Sequence, residues 1–140
     1  MKDFKPIVIL IAEDDDGHSE LIIENLIDSG VKNKIERFSN GKELWNYLIE
    51  KENNRHEEDY IILLDINMPV MDGIEVLQLI KSRDSMKDIP VIMLTTTDDP
   101  REIDTCYEIG CNVYITKPVD FHKFMETLMR LGLFLQIIKL

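Results

Sequence analysis

The chain has 140 residues, of which 44% are hydrophobic and 31% charged, and this composition suits one domain with a buried core. The formal net charge of −11 argues against binding to nucleic acid or to anionic lipid, because both partners attract lysine and arginine. No apolar run reaches the ~18 residues of a membrane helix and no signal peptide opens the chain, so we expect a cytoplasmic protein.

Strand-like and helix-like segments alternate along the first half of the chain. A strand is predicted at residues 7–12, where a continuous apolar run indicates burial on both faces. An amphipathic helix around residues 21–27 and a weaker strand at residues 34–38 follow. Asn40 is predicted to cap the second helix, with Glu43 completing a capping box.

The same alternation continues to the end of the chain. The remaining predicted elements are a strand at 60–64, a helix at 73–80, a strand at 91–94, a fourth helix, a weaker strand at 113–116 and a fifth helix that begins after Asp120 and continues through Met129. The fourth helix has the clearest start, with Asp99 as N-cap, Pro100 in its first position and Glu102 in its third. This order predicts an α/β fold, a doubly wound parallel sheet with helices on both faces.

The predicted elements fill nearly the whole chain, so we expect a single domain over residues 1–140 and no output domain. Residues 132–140 form an apolar C-terminal tail, and seven of the ten residues from 131 to 140 are large and apolar. A soluble protein rarely exposes an apolar segment of this extent. The tail is therefore predicted to form a homodimer interface with the fifth helix, or to fold back on its own domain.

Polar side chains follow the predicted strands at their carboxyl ends. Glu13 and Asp14 follow the first strand, Asp65 the third, Thr95 the fourth and Lys117 the fifth. In open α/β sheets this edge binds ligands. Clustered carboxylates repel one another unless a cation neutralises them, and Mg²⁺ prefers such oxygen ligands. A carboxylate can also accept a phosphoryl group, with a metal, a lysine and a hydroxyl stabilising its charge.

The other reactive residue types form no recognisable site. Cys106 and Cys111 are too few for a disulfide scaffold, and their spacing matches no common metal motif. The three histidines are scattered, and a surface or packing role is predicted for each of them: His18, His56 and His122.

Four segments carry a resemblance to a known family: ILIAEDD, LLDINMPVMDG, PVIMLTT and YITKPV. Over about residues 6–131 the chain resembles the receiver domain of bacterial response regulators, of the chemotaxis-regulator type. The resemblance implies a flavodoxin-like (βα)5 fold. It also implies a single-domain regulator that is phosphorylated by a sensor histidine kinase and signals by phosphorylation-dependent binding to a downstream phosphotransfer protein or effector. Such a protein is not an enzyme beyond its own phosphorylation and dephosphorylation.

The resemblance assigns roles to the residues at the carboxyl edge of the sheet. Asp65 is implied to be the phospho-acceptor, and Lys117 to pair with the phosphoryl oxygens. The implied Mg²⁺ (or Mn²⁺) ligands are Asp14, Asp65, the backbone carbonyl of Asn67, and Glu13 through a metal-bound water.

Further positions match the switch region of the family. Thr95 is implied to bind the phosphoryl group and to shift on activation, with Tyr114 turning inward in response. The bond between Lys117 and Pro118 resembles a cis peptide of the family. Thr96 departs from the family pattern, which prefers Ala or Gly there, and Thr97 occupies a variable position beside the attacking water of dephosphorylation.

A narrower resemblance covers the last third of the chain. The run TTTDDPREIDTCYEIGCNVYITKPVDFHKF, followed by RLGLFLQIIKL, is similar to small stand-alone regulators related to cyanobacterial phytochrome response regulators. In that group the segment after the fifth helix helps to form a homodimer.

Three alternatives have specific arguments against them. A phosphatase of the haloacid dehalogenase group needs a second Asp as its acid, and Asn67 occupies that position. A degenerate receiver that is not phosphorylated would not need the complete acidic, hydroxyl and lysine set. A nucleotide-binding doubly wound protein would carry a Gly-rich loop after the first strand, and none is present.

Overall fold

The predicted alternation of strands and helices is present in the computed structural model, which describes residues 5–53 and 57–137. The elements within these residues are β1 (Ile7–Ala12), α1 (Asp16–Asp28), β2 (Ile35–Phe38), α2 (Gly41–Glu52), β3 (Asp59–Leu64), α3 (Gly73–Ser82), β4 (Val91–Thr95), α4 (Pro100–Ile109), β5 (Val113–Thr116) and α5 (Phe121–Ile137). The strands are parallel and lie in the order β2-β1-β3-β4-β5. The predicted flavodoxin-like doubly wound sheet is therefore confirmed.

Two apolar layers cover the two faces of the sheet. Leu10 of β1 packs in a core with α2, α3 and α4, and its neighbour Ile9 packs in a second core with α1 and α5. Successive side chains of a strand point to opposite faces, so a strand between two helical layers must be apolar at every position. This explains the continuous apolar runs of β1, β3 and β4.

The predicted helix caps form, with one change of partner. The Asn40 side chain accepts a hydrogen bond from the backbone N–H of Glu43 at 2.9 Å, and the Asp99 side chain accepts one from Arg101 at 2.9 Å. The Glu43 carboxylate accepts from the backbone N–H of Ser39 at 3.1 Å, one residue before the predicted partner.

Helix α5 extends past Met129, where the predicted fifth helix ends, and takes in part of the apolar segment predicted as a tail at 132–140. Helix α5 continues without a break to Ile137, and residues 138–140 lie outside the described part of the chain. Gly132 lies inside the helix and packs closely against the end of α1. A Cβ atom at Gly132 would lie 1.9 Å from the Ser29 hydroxyl oxygen.

Helix α5 has one buried and one exposed apolar face near its end. Leu131 and Leu135 are buried in the core that α5 shares with α1, so part of the segment folds back on its own domain. Leu133, Phe134 and Ile137 are exposed at 51%, 43% and 75% of their surface. The predicted homodimer stays a prediction, and its candidate surface is this exposed face.

The order of the strands fixes where a ligand can bind. The chain winds outward from β1 to β2 and then in the other direction from β3 to β5, so the direction reverses between β1 and β3. At such a reversal a crevice opens beyond the carboxyl ends of the two strands. None of the helices in the described residues is long and apolar enough to cross a membrane.

Candidate functional site

Three acidic side chains meet in the crevice between β1 and β3. Ala12 pairs with Leu64 in the parallel register, so the residues that follow the two strands emerge side by side. Glu13, Asp14 and Asp65 each place a carboxylate oxygen within 4.8 Å of the others. Glu13 and Asp65 are buried and Asp14 is exposed. The structure thus brings together three carboxylates that the sequence predicted to converge.

The backbone around Asp65 is held on both sides. Its N–H donates to the carbonyl of Ala12 at 3.0 Å, and its Oδ1 accepts from the N–H of Ile66 at 2.8 Å. The N–H of Gly73, the first residue of α3, donates to the carbonyl of Ile66 at 2.8 Å. The start of α3 therefore lies directly against the strand end that carries Asp65.

Lys117 inserts its ammonium between two of the carboxylates. Its Nζ forms an ion pair with Glu13 and lies 3.7 Å from Asp65 Oδ2, and the residue is 4% exposed. A buried charge is tolerated only when it is paired. The Lys117 N–H donates to the carbonyl of Thr95 at 2.6 Å, which fixes the end of β5 beside that of β4.

The charges in the crevice do not balance. Burial raises the pKa of the Glu13 carboxyl, the negative charge of Asp65 adds to the rise, and the hydrogen bond from Lys117 opposes it. Three carboxylates face one ammonium, so an additional cation lowers the electrostatic free energy of the set. Hard oxygen donors at this spacing fit a divalent ion such as Mg²⁺ or Mn²⁺.

Thr95 brings a hydroxyl to the same edge of the sheet. The residue is completely buried, and its Oγ1 has no hydrogen-bond partner among the described residues. A buried hydroxyl without a partner carries an unfavourable desolvation free energy. A ligand with acceptor oxygens at the end of β4 would remove this cost.

Tyr114 and Asn67 both form hydrogen bonds with Thr97, two residues after Thr95. The Tyr114 hydroxyl donates to the backbone carbonyl of Thr97 at 2.7 Å, and the Asn67 side-chain amide donates to the Thr97 hydroxyl at 3.3 Å. Burial raises the pKa of Tyr114, so its phenol remains a donor at neutral pH. Metal binding by the Asn67 carbonyl stays a prediction. The bond between Lys117 and Pro118 is trans, contrary to expectation.

Sequence reasoning missed two residues of the site. The Nδ1 atom of His18 lies 3.1 Å from Lys117 Nζ, although a lone histidine gave no functional signal. Arg37, at the end of β2, donates from two nitrogens to the backbone carbonyl of Glu13, at 3.1 and 2.8 Å, and forms an ion pair with Asp16 at 2.8 Å. Arg37 could have been found from the sequence. It lies near the carboxyl end of the strand predicted at 34–38, and β2 ends beside β1 at the same edge of the sheet.

Comparison with known proteins gives a consistent picture. Residues 9–129 match the response regulator receiver domain. Response regulator Rcp1 of Synechocystis is 35% identical over 113 residues, which are 80% of this chain and 77% of Rcp1. A crystal structure of the Mn(2+)-bound form of response regulator Rcp1 has a TM-score of 0.86 at 30% identity, and the match covers 96% of this chain and 99% of that chain.

Two further solved structures are similar over most of their length. A response regulator receiver domain from Rhodospirillum rubrum has a TM-score of 0.88 at 42% identity, covering 95% of this chain and 96% of that one. The phosphorylated cyanobacterial phytochrome response regulator RcpA has a TM-score of 0.85 at 31% identity, with coverage of 95% and 96%. This chain therefore belongs to the response regulator receiver domain family of two-component signalling.

Proposed function

We propose that this protein is a single-domain response regulator that accepts a phosphoryl group from a sensor histidine kinase on Asp65. One observation carries the proposal. The buried carboxylate of Asp65 shares a crevice with two further carboxylates and lies 3.7 Å from a buried lysine ammonium. Each ionisable group in the crevice loses hydration, which costs free energy of folding. A purely structural role would not require this cost.

The chemistry is a phosphoryl transfer between two side chains. One carboxylate oxygen of Asp65 forms a bond to phosphorus while the phosphorus–nitrogen bond of a phosphohistidine breaks, and the electron pair stays on the imidazole nitrogen. Lys117 supplies positive charge beside the incoming phosphoryl oxygens. The Thr95 hydroxyl, which has no partner among the residues that the structure describes, supplies a hydrogen-bond donor that is already desolvated in the folded protein.

The acidic cluster fits a divalent metal ion, Mg²⁺ or Mn²⁺. Glu13, Asp14 and Asp65 would hold the ion, with the backbone carbonyl of Asn67 as a further ligand. When bound, the ion supplies charge that offsets the negative charge of the phosphoryl group. The Mn(2+)-bound structure of the similar Rcp1 supports this assignment.

The signal is proposed to pass through Thr95 and Tyr114 to the surface of α4, β5 and α5. A phosphoryl group that accepts a hydrogen bond from Thr95 changes the end of β4. The Tyr114 ring packs against the core that contains α4, and its hydroxyl is anchored to the Thr97 carbonyl. The output is phosphorylation-dependent binding to a downstream phosphotransfer protein or effector. The protein acts in the cytoplasm and turns over no substrate of its own.

A homodimer through α5 is part of the same proposal. The exposed face of α5 continues into an apolar groove along the edge strand β5, which is lined by Val113, Ile115, Thr127, Arg130, Leu131 and Phe134. An edge strand beside an exposed apolar helix face is a surface that a second copy can cover. Deletion of residues 132–140 is a poor test, because it also removes Leu135 from the core.

Phosphate mapping tests the proposed acceptor. The protein is incubated with acetyl phosphate and Mg²⁺, and the adduct is located by mass spectrometry. We expect one phosphoryl group, on Asp65, and none in Asp65→Asn. Asp59→Asn, at the opposite end of the same strand, is the matched control and should be labelled like the wild type. Full labelling of Asp65→Asn would refute the assignment, and multiple turnovers of a small phosphate ester would favour the phosphatase alternative.

A further inference from the structure

His18 connects α1 to the lysine of the phosphorylation crevice. It lies in the first turn of α1, five residues after Glu13, and its ring is half-buried. Its Nδ1 lies 3.1 Å from the ammonium nitrogen of Lys117, which comes from the far end of the chain. The contact is between side chains separated by 99 positions, so it depends on the fold and not on local sequence.

His18 is the partner of Lys117 that has no second role in the crevice. An ammonium has three N–H donors. Asp65 Oδ2, at 3.7 Å, is beyond normal hydrogen-bond distance, so Glu13 and His18 are the hydrogen-bond partners of Lys117 among the described residues. Glu13 also belongs to the acidic cluster that fits a metal ion. His18 is therefore the hydrogen-bond partner of Lys117 that a metal ion in the acidic cluster would not also bind.

The chemistry of the contact defines the state of the imidazole. A lysine ammonium can only donate, so Nδ1 of His18 must accept. The ring is then neutral and carries its hydrogen on Nε2. A protonated ring would place a second positive charge 3.1 Å from the ammonium, which is unfavourable for both groups.

The orientation of the His18 ring is fixed by its surroundings. Its backbone N–H donates to the Asp15 side chain at 2.9 Å, which holds the start of α1. Phe124 of α5 contacts the ring edge-on, with centroids 5.6 Å apart and an interplanar angle of 64°. Ring pairs of this geometry are attractive and restrict rotation of the side chain. The acceptor atom is thus aimed before any phosphoryl group arrives.

We infer that His18 is a positioning residue for Lys117, which holds the ammonium so that its remaining N–H is directed at Asp65 and the phosphoryl group transferred to it. The inference rests on the proposed function. A lysine side chain has many rotamers, and fixing it costs conformational entropy. With Lys117 already fixed in the free protein, this cost is not added to the free energy of the transition state.

Two substitutions test the effect of the Nδ1 acceptor of His18 separately from the effect of its aromatic ring. His18→Phe keeps an aromatic ring against Phe124 and removes the acceptor, whereas His18→Asn places its amide oxygen where Nδ1 lies and removes the ring. We expect phosphorylation of His18→Phe by acetyl phosphate at saturating Mg²⁺ to be about tenfold slower, the equivalent of one hydrogen bond to a charged group. His18→Asn should stay within about threefold of the wild type. His122→Phe, on the exposed start of α5, should be unchanged.

Two further measurements exclude indirect causes. The affinity for Mn²⁺, measured by electron paramagnetic resonance, should be the same in wild type and His18→Phe, because His18 is not among the carboxylates of the metal cluster. Nitrogen-15 NMR of the unphosphorylated protein should show His18 as the neutral tautomer with its hydrogen on Nε2. A hydrogen on Nδ1 would overturn the inference without any reference to activity.

The kinetic outcomes distinguish this inference from the function on which it rests. If the wild type acquires no phosphoryl group, the proposed function fails and this inference fails with it. If the wild type is labelled and His18→Phe is equally fast or faster, only the inference is overturned. Equal losses in His18→Phe and His18→Asn would assign the effect to packing, and a parallel loss of Mn²⁺ affinity would assign it to the metal site; either result overturns the inference.

Discussion

Replacing Gly73 by alanine should separate α3 from the strand that carries Asp65. A Cβ atom at this position would lie 2.1 Å from the backbone carbonyl oxygen of Asp65, about 0.9 Å inside the 3.0 Å limit of real contacts. The neighbouring atoms are backbone, so α3 itself must move. Overpacking of this kind costs about 1–3 kcal/mol, and weakening the 2.8 Å hydrogen bond from Gly73 to Ile66 adds about 1 kcal/mol.

We therefore expect Gly73→Ala to lose about 3 kcal/mol of unfolding free energy. In urea this corresponds to a fall of about 1.5 M in the unfolding midpoint, for a slope of about 2 kcal/mol per molar. Gly17→Ala is the matched control, because its one near contact is the Asp15 side-chain oxygen at 3.2 Å, which needs to shift by only a few tenths of an ångström. Labelling of Asp65 by acetyl phosphate should slow only in Gly73→Ala. Equal midpoints for the two variants would refute the argument.

Three other predictions follow from the site and the surface. Thr95→Val removes a buried hydroxyl that has no partner among the described residues, so we expect the free energy of unfolding in urea to rise by about 1 kcal/mol and phosphorylation to slow; lower stability would contradict this. The raised pKa of Glu13, about 7 against an ordinary 4.5, means that metal binding releases a proton, so Mn²⁺ affinity by titration calorimetry should weaken as the pH falls from about 7 towards 4.5. The same shift stabilises the metal-free fold below pH 4.5, and this contribution is lost as the pH rises through about 7. Phe134→Glu should convert a dimer to a monomer in sedimentation equilibrium, since the ring is 43% exposed and lines the proposed interface; a wild type that is monomeric at high micromolar concentration would exclude the dimer.

The positions of the strand ends could be predicted directly from the sequence. A continuous apolar run indicates a strand covered on both faces, and parallel strands in a doubly wound sheet end at one edge. These two facts were sufficient to place Asp14, Asp65, Thr95 and Lys117 at a common edge. The resemblance to receiver domains then assigned a role to each, and the family is confirmed by the match over residues 9–129.

Contacts between helices could not be predicted in the same way. The contact between His18 and Lys117 requires the first turn of α1 to lie within reach of the lysine side chain that follows β5, and the periodicity of α1 does not specify which residues it meets. The length of α5 was missed for a related reason. Gly132 is a typical end signal in an isolated helix, but here it permits the close approach to Ser29.

Because α5 is unbroken, a small tilt at its start produces a larger displacement at its end. From Phe124, beside His18, to Ile137 the helix rises about 20 Å at ~1.5 Å per residue. A helix of this length is stiff, so a tilt of about 5° at Phe124 displaces the exposed end by about 2 Å. Such a displacement is comparable to the helix shifts that alter subunit interfaces. A distance between spin labels on α5 and β2 that is identical before and after phosphorylation would exclude this transmission. The phosphorylation crevice is connected to α5 by two side-chain contacts, Lys117 with His18 and His18 with Phe124, and beyond Phe124 the helix alone reaches the exposed apolar face.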